Sequence, residues 1–126
     1  RNRQLLDAVT AEASQFIEPP MFDAARAAPA IMSASNIYFR FLHFTKSEDY
    51  KKIPSRLRSN ASRGHGAPPA DFELWCVAVS AVNGCEACID AHEAAARDKG
   101  LTRETILAAV RIASVIHAAA VMLEAV

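Results

Sequence analysis

The sequence predicts an all-α fold of about five to six helices, and three observations carry that prediction. Apolar residues recur at three- and four-residue spacing along most of the chain, the pattern of helices with one buried face. No stretch of useful length alternates apolar and polar residues with the period of two that a half-buried strand needs. The interruptions fall at proline pairs, at Asn83-Gly84 and at Gly100, residue types that end or begin helices.

The elements follow in order. Leu5, Leu6, Val9, Ala13, Phe16 and Ile17 form the apolar stripe of a first helix, which Pro19 and Pro20 are expected to stop. A second helical stretch covers about Met21 to Thr45, with a break or kink expected at Pro29. Its apolar side chains, among them Met32, Phe39, Phe41 and Phe44, read as core at helical spacing. Lys46 to Pro69 is the least regular segment, with a short helical turn near Glu48–Lys52 and a loop over Arg63–Pro69. The glycines of that loop suit a turn; no Gly-Lys-Ser/Thr follows to make a phosphate loop, and His65 reads as an exposed loop residue.

Asp71, after two prolines, is a good helix start, and helix is expected to Val82 with Leu74, Val77, Ala78 and Ala81 sharing a side. Asn83-Gly84 is a stop signal, because both residues tolerate the left-handed conformation that closes a helix. Cys85 then opens a helix that runs to about Lys99 and ends at Gly100, and Thr102 can cap a last helix from about Arg103 to Glu124. That helix is nearly long and apolar enough to span a membrane, but Arg111, His117 and Glu124 interrupt it and alanine dominates. A helix buried in a bundle or at a subunit contact is the better reading, with His117 as a satisfied buried histidine or a pocket lining.

Bulk composition bounds the function. The chain has 126 residues, 52% of them apolar, and a mean hydropathy of +0.07, enough to build a core as one domain over 1–126. Lysine plus arginine equals aspartate plus glutamate at 14 each, which leaves no electrostatic case for nucleic acid or for an anionic membrane surface. Lys51, Lys52, Arg56 and Arg58 read as solvated loop charges. Three cysteines in a chain able to build its own core argue against a secreted disulfide scaffold, and no signal peptide precedes them. The expected compartment is the cytoplasm. The chain opens at Arg1 in the middle of a helical pattern, so an N-terminal segment is expected to be missing.

The chemistry concentrates in DFELWCVAVSAVNGCEACIDAH, Asp71 to His92. A Cys-x-x-C pair can be half of a zinc site, a redox dithiol or two buried small residues. Zinc needs four ligands; without a second Cys-x-x-C only a mixed set of Glu73, Cys85, Cys88 and His92 can supply them. Redox chemistry is favoured by position: the thiolate is the reactive form, and the free amides and dipole of a helix start stabilise it at Cys85. Cys88 lies three residues on and His92 four beyond that, so all three fall on one helical face. A histidine one turn from a thiol can take its proton, although spacing alone leaves a surface histidine equally open. Glu73 sits on the preceding helix, where a first-turn glutamate needs no special role. Cys76 reads as core, and Trp75 as core or the wall of a channel.

Those same residues carry a family likeness. FELWCVAVSAVNGCEACIDAHE closely resembles the signature of the alkyl hydroperoxidase D (AhpD) family, within the carboxymuconolactone decarboxylase-like superfamily. The family pattern is a glutamate, a Cys-x-x-C and a histidine four residues beyond the second cysteine, matched by Glu73, Cys85, Cys88 and His92. The likeness extends upstream through IMSASNIYFRF and downstream to the last helix. It implies a compact all-helical fold, usually a homotrimer, acting as a thiol peroxidase on alkyl hydroperoxides with no bound cofactor or metal. In that scheme Cys88 attacks the peroxide, Cys85 resolves the sulfenic acid to a disulfide, and His92 with Glu73 relays the proton. Electrons come from a dihydrolipoyl group on an acyltransferase, recharged by dihydrolipoamide dehydrogenase, and some members recycle a peroxiredoxin. Helix position alone favours Cys85 as the thiolate; the positioned histidine favours Cys88 as the attacker. Ala87 stands where some members carry a histidine, which bears on rate more than on fold. The alternatives are a disulfide reductase or lipoyl-linked adaptor with little peroxidase activity, a cofactor-free decarboxylase or isomerase of the lactone type, and a trimeric sensing or zinc module. The dithiol weighs against the lactone chemistry, which does not need one.

Overall fold

The computed structural model describes residues 2–57 and 66–125, and among these it contains only helices and their connections. The helices are α1 (Arg3–Ala13), α2 (Pro19–Phe44), α3 (Pro69–Asn83), α4 (Glu86–Asp98) and α5 (Arg103–Glu124), with a 3₁₀ turn at Glu48–Lys52. The expected all-α class is the observed one. The first part of the expected loop, including His65, and Arg58 of the expected charge cluster lie outside the described residues. In the 3₁₀ turn Lys51 and Lys52 pair with Glu48 and Asp49, so their charge is spent locally at the surface.

α3 is the central element. One side packs on α2 through Ala28, Met32, Phe72 and Cys76, with Ala27, Ile31, Trp75 and Val79 closing around them. Another packs on α4 and α5 through Val77, Ala96 and Ile106, with Leu74, Leu101 and Val110 beside them. Small residues at Ala24, Ala28 and Ala96, each no more than 1% exposed, let the helix backbones approach closely. α3 is therefore apolar on more than one side, and the expected single shared face understates its burial.

The helix ends follow local chemistry. Gly84 closes α3 in the left-handed conformation at φ 66°; its N–H donates to Ala81 O (3.2 Å), and the Cys85 N–H reaches back to Ser80 O (3.1 Å). The same pair of bonds ends α4, where Gly100 at φ 91° donates to Arg97 O and Leu101 N–H donates to Ala96 O. Thr102 caps α5, accepting from the Thr105 N–H at 3.1 Å.

Several expectations are corrected. Pro19 and Pro20 do not stop the first helix, which ends at Ala13; they occupy the first turn of α2, where a missing N–H costs nothing. α3 likewise starts at Pro69 rather than Asp71. Phe16 lies beyond the end of α1 and is 78% exposed, and no residue of α1 is buried. α2 runs unbroken through Pro29. The proline forfeits one backbone bond, and the burial of Ala24, Ala28 and Met32 on either side of it holds the helix together. Phe39, Phe41 and Phe44 are not core: α2 turns its small residues and Met32 inward, leaving Phe41 and Phe44 at 50% and 74% exposure. α5 is not buried within the chain either. Only Ile106 is, while Leu107, Ile112, Val115, Ile116 and Met122 face outward and His117 is exposed. By length and composition α5 would also suffice to cross a membrane.

Candidate active site

The α3–α4 connection builds the site. Because only Gly84 and Cys85 separate α3 from α4, the chain reverses at once and Cys85 becomes the N-cap of α4, with extended backbone at φ −101°. Cys85 and Cys88 are joined in a disulfide, with Cα atoms 5.3 Å apart. Both are nearly buried, at 1% and 5% exposure.

The reversal lays α4 against α3 and brings His92 to Glu73. His92 Nδ1 stands 2.7 Å from Glu73 Oε2, and the other carboxylate oxygen, Oε1, is 3.4 Å from Lys99 Nζ at the far end of α4. A carboxylate only accepts, so Nδ1–H donates and Nε2 is the basic nitrogen of the neutral ring. Cys88 and His92 line one largely apolar cavity of about 330 Å³, walled by Ile31, Met32, Phe39 and Phe72. Glu73, Cys85, Cys88 and His92, chosen from the sequence, thus form one connected group. Cys76 does not join it. It is fully buried, and burial, helped by the nearby charge of Glu73, pushes its thiol up to about 12. His117 lines none of the cavities around the disulfide.

Sequence reasoning passed over a polar network behind the turn. Asn36, on α2 and 1% exposed, donates to Ser80 Oγ (3.1 Å) and accepts from Asn83 Nδ2 (2.8 Å). Arg40, one turn on, donates to Asn83 O at 2.7 Å. Asparagine and arginine within the apolar run from Ile31 to Phe41 were the available signal, since a polar residue on a core-facing helix needs partners. His43 and Lys99 carried no such signal. Among the described residues no group of three His, Cys, Asp or Glu side chains is placed to hold a metal ion.

Comparison with known proteins agrees with this geometry. Residues 48–126 match the carboxymuconolactone decarboxylase family. The alkyl hydroperoxide reductase AhpD of Acidobacterium capsulatum is 48% identical over 125 residues, covering 99% of this chain and 68% of that protein. The chain belongs to the AhpD family. The AhpD proteins of Solibacter usitatus and Rhodospirillum centenum are 46% and 49% identical, and the chain covers 70% and 67% of their lengths. The likeness spans nearly the whole chain, so the AhpD pattern reaches α1 and α2 as well as the Cys-x-x-C half.

Proposed function

We propose that the protein is a thiol peroxidase that reduces alkyl hydroperoxides through the Cys85–Cys88 pair. One observation carries this reading: Cys88 shares an apolar cavity with His92, whose Nδ1 is held by Glu73. Nε2 takes the Cys88 proton. The thiolate attacks the terminal peroxide oxygen, the O–O bond breaks, and the departing alkoxide takes that proton from His92 and leaves as the alcohol. Cys88 is then a sulfenic acid. The Cys85 thiolate attacks the Cys88 sulfur and hydroxide departs as water with a proton from the site, leaving the disulfide. A dithiol must reduce it, and a dihydrolipoyl group on a partner acyltransferase, recharged by dihydrolipoamide dehydrogenase, is the donor we assign; a peroxiredoxin is a further partner. No bound cofactor enters the cycle. The compartment consistent with a recycled dithiol is the cytoplasm. We read the chain as one AhpD-like domain and its assembly as a homotrimer, supported by the outward apolar residues of α5; light scattering should give three times the chain mass.

The test follows hydroperoxide loss with a dihydrolipoamide regenerating system. Cys88→Ser should abolish turnover, and His92→Phe should lower it by about a hundredfold or more. Cys85→Ser should leave Cys88 trapped as a sulfenic acid. A wild-type protein whose pair cycles between dithiol and disulfide without consuming hydroperoxide would refute the peroxidase and leave the disulfide-reductase reading.

A further inference from the structure

The two sulfurs of the disulfide do not share one opening. Cys88 lines the apolar cavity with His92, whereas Cys85 lines a second cavity of about 130 Å³ with Phe39, Arg40, His43, Phe44 and Glu86. Phe39 and Ala87 border both and separate them. Each cavity has its own histidine–carboxylate pair. On the Cys88 side it is His92 with Glu73; on the Cys85 side His43 Nε2 lies 3.1 Å from Glu86 Oε2. His43 comes from the last turn of α2, and Glu86 is the first residue of α4, directly after Cys85. The other charged group on this cavity, Arg40, donates to the Asn83 carbonyl that ends α3.

We propose that His43, oriented by Glu86, is the proton-transfer group of the Cys85 side and serves the reduction of the disulfide, as His92 serves the peroxide. The inference rests on the redox reading of the pair but not on peroxide as oxidant. In the step it serves, a thiol of the incoming dithiol gives its proton to His43 and the resulting thiolate attacks the Cys85 sulfur. The Cys85–Cys88 bond breaks and Cys88 leaves as thiolate. The second donor thiol then attacks the first donor sulfur and closes the donor's own disulfide. Cys85 departs as thiolate and takes the proton held on His43, while the proton of the second donor thiol passes through solvent to Cys88. One disulfide and one dithiol thus exchange oxidation state, with both protons accounted for. A neutral imidazole is the right acceptor for this exchange near neutral pH, because attack requires the thiolate. Glu86 stands beside Nε2 of His43, whereas Glu73 meets Nδ1 of His92.

The test uses the full chain oxidised with diamide, so that peroxide activity is not needed, and follows its reduction by dihydrolipoamide in stopped flow across pH 6 to 9. His43→Gln should slow reduction at least tenfold and remove the histidine limb from the pH profile. Glu86→Gln should slow it less, because the imidazole remains and only the carboxylate beside it is gone. The oxidative half-reaction, measured on pre-reduced protein with cumene hydroperoxide, provides the contrast: for His43→Gln the ratio of reductive to oxidative rate falls, and for His92→Phe it rises. Reduction of His43→Gln within threefold of wild type with an unchanged pH profile overturns the proposal. So does an equal loss in both half-reactions, which would make His43 a support of the fold.

Discussion

Asn36 ties α2 to the end of α3, and replacing it with leucine tests whether that tie holds the cysteine turn in place. The side chain is 1% exposed and makes hydrogen bonds of 3.1 Å to Ser80 Oγ and 2.8 Å from Asn83 Nδ2. Leucine keeps the branching and heavy-atom count of asparagine, but its methyl groups are bulkier, so the change removes the bonds and adds some overpacking on top of their loss. Two bonds at about 1 kcal/mol each are lost, together with a weak 3.9 Å contact from Asn36 Nδ2 to Met32 Sδ, and the buried Ser80 hydroxyl keeps only its own weak contact with Met32 Sδ, adding about 1 kcal/mol. The expected cost is about 2–4 kcal/mol. With a urea slope near 1.5 kcal/mol per molar, the denaturation midpoint should fall by about 2 M. Asn83→Ala alone should cost about 1 kcal/mol, and the double variant should cost less than the sum of the two by at least about 0.5 kcal/mol, because the two share a bond. A loss below about 1 kcal/mol for Asn36→Leu, or strict additivity in the cycle, would refute the network as the tie.

Three further outcomes follow from the structure. Gly84→Ala should destabilise by about 1–2 kcal/mol through the left-handed backbone alone, since no atom lies within 4 Å of the added Cβ; Gly84→Asn should recover part of it in the same urea titration. Burial raises the Cys76 thiol from 9.0 to about 12, so the fold favours the protonated form. Its stabilising contribution is complete below pH 9 and is lost as pH rises from there toward 12. Relative to Cys76→Ala, the wild type should lose up to about 1.4 kcal/mol between pH 8 and pH 10 in urea midpoints, and a flat difference would contradict the assignment. Ala91 lines the Cys88 cavity. Ala91→Phe should therefore cut kcat/KM for cumene hydroperoxide at least tenfold more than for hydrogen peroxide, measured in parallel steady-state assays.

How much of this was legible depended on the range of the interaction. The Asn83-Gly84 stop, the start at Cys85 and the Thr102 cap are local, and neighbouring residues decide them, so the sequence carries them openly. The Glu73–His92 contact depends on the angle between α3 and α4, which no spacing within one helix reveals. α2 misled because large apolar residues appear all round it. Which face is core was decided by the packing of Ala28 and Met32 on α3, and that left the phenylalanines outside. α5 misled for a different reason. An apolar helix has the same sequence pattern whether or not its own chain covers it, so the pattern could not say that α5 stands largely uncovered within this chain. His43 and Glu86 are 43 residues apart in sequence and ordinary in isolation; only the fold makes them a pair.

Cys85 belongs to two helices at once, its N–H closing α3 on Ser80 while its backbone opens α4. Ser80 holds that amide with its carbonyl and Asn36 with its hydroxyl, so the first sulfur hangs from the framework and not from a loop. The cross-link to Cys88 spans a sequence separation of only 3, among the shortest closures a disulfide can make, so it restricts the unfolded chain little. On the proposed redox reading the bond is an electron store more than a staple, and the sulfurs are aimed by a framework that the bond itself does little to hold together.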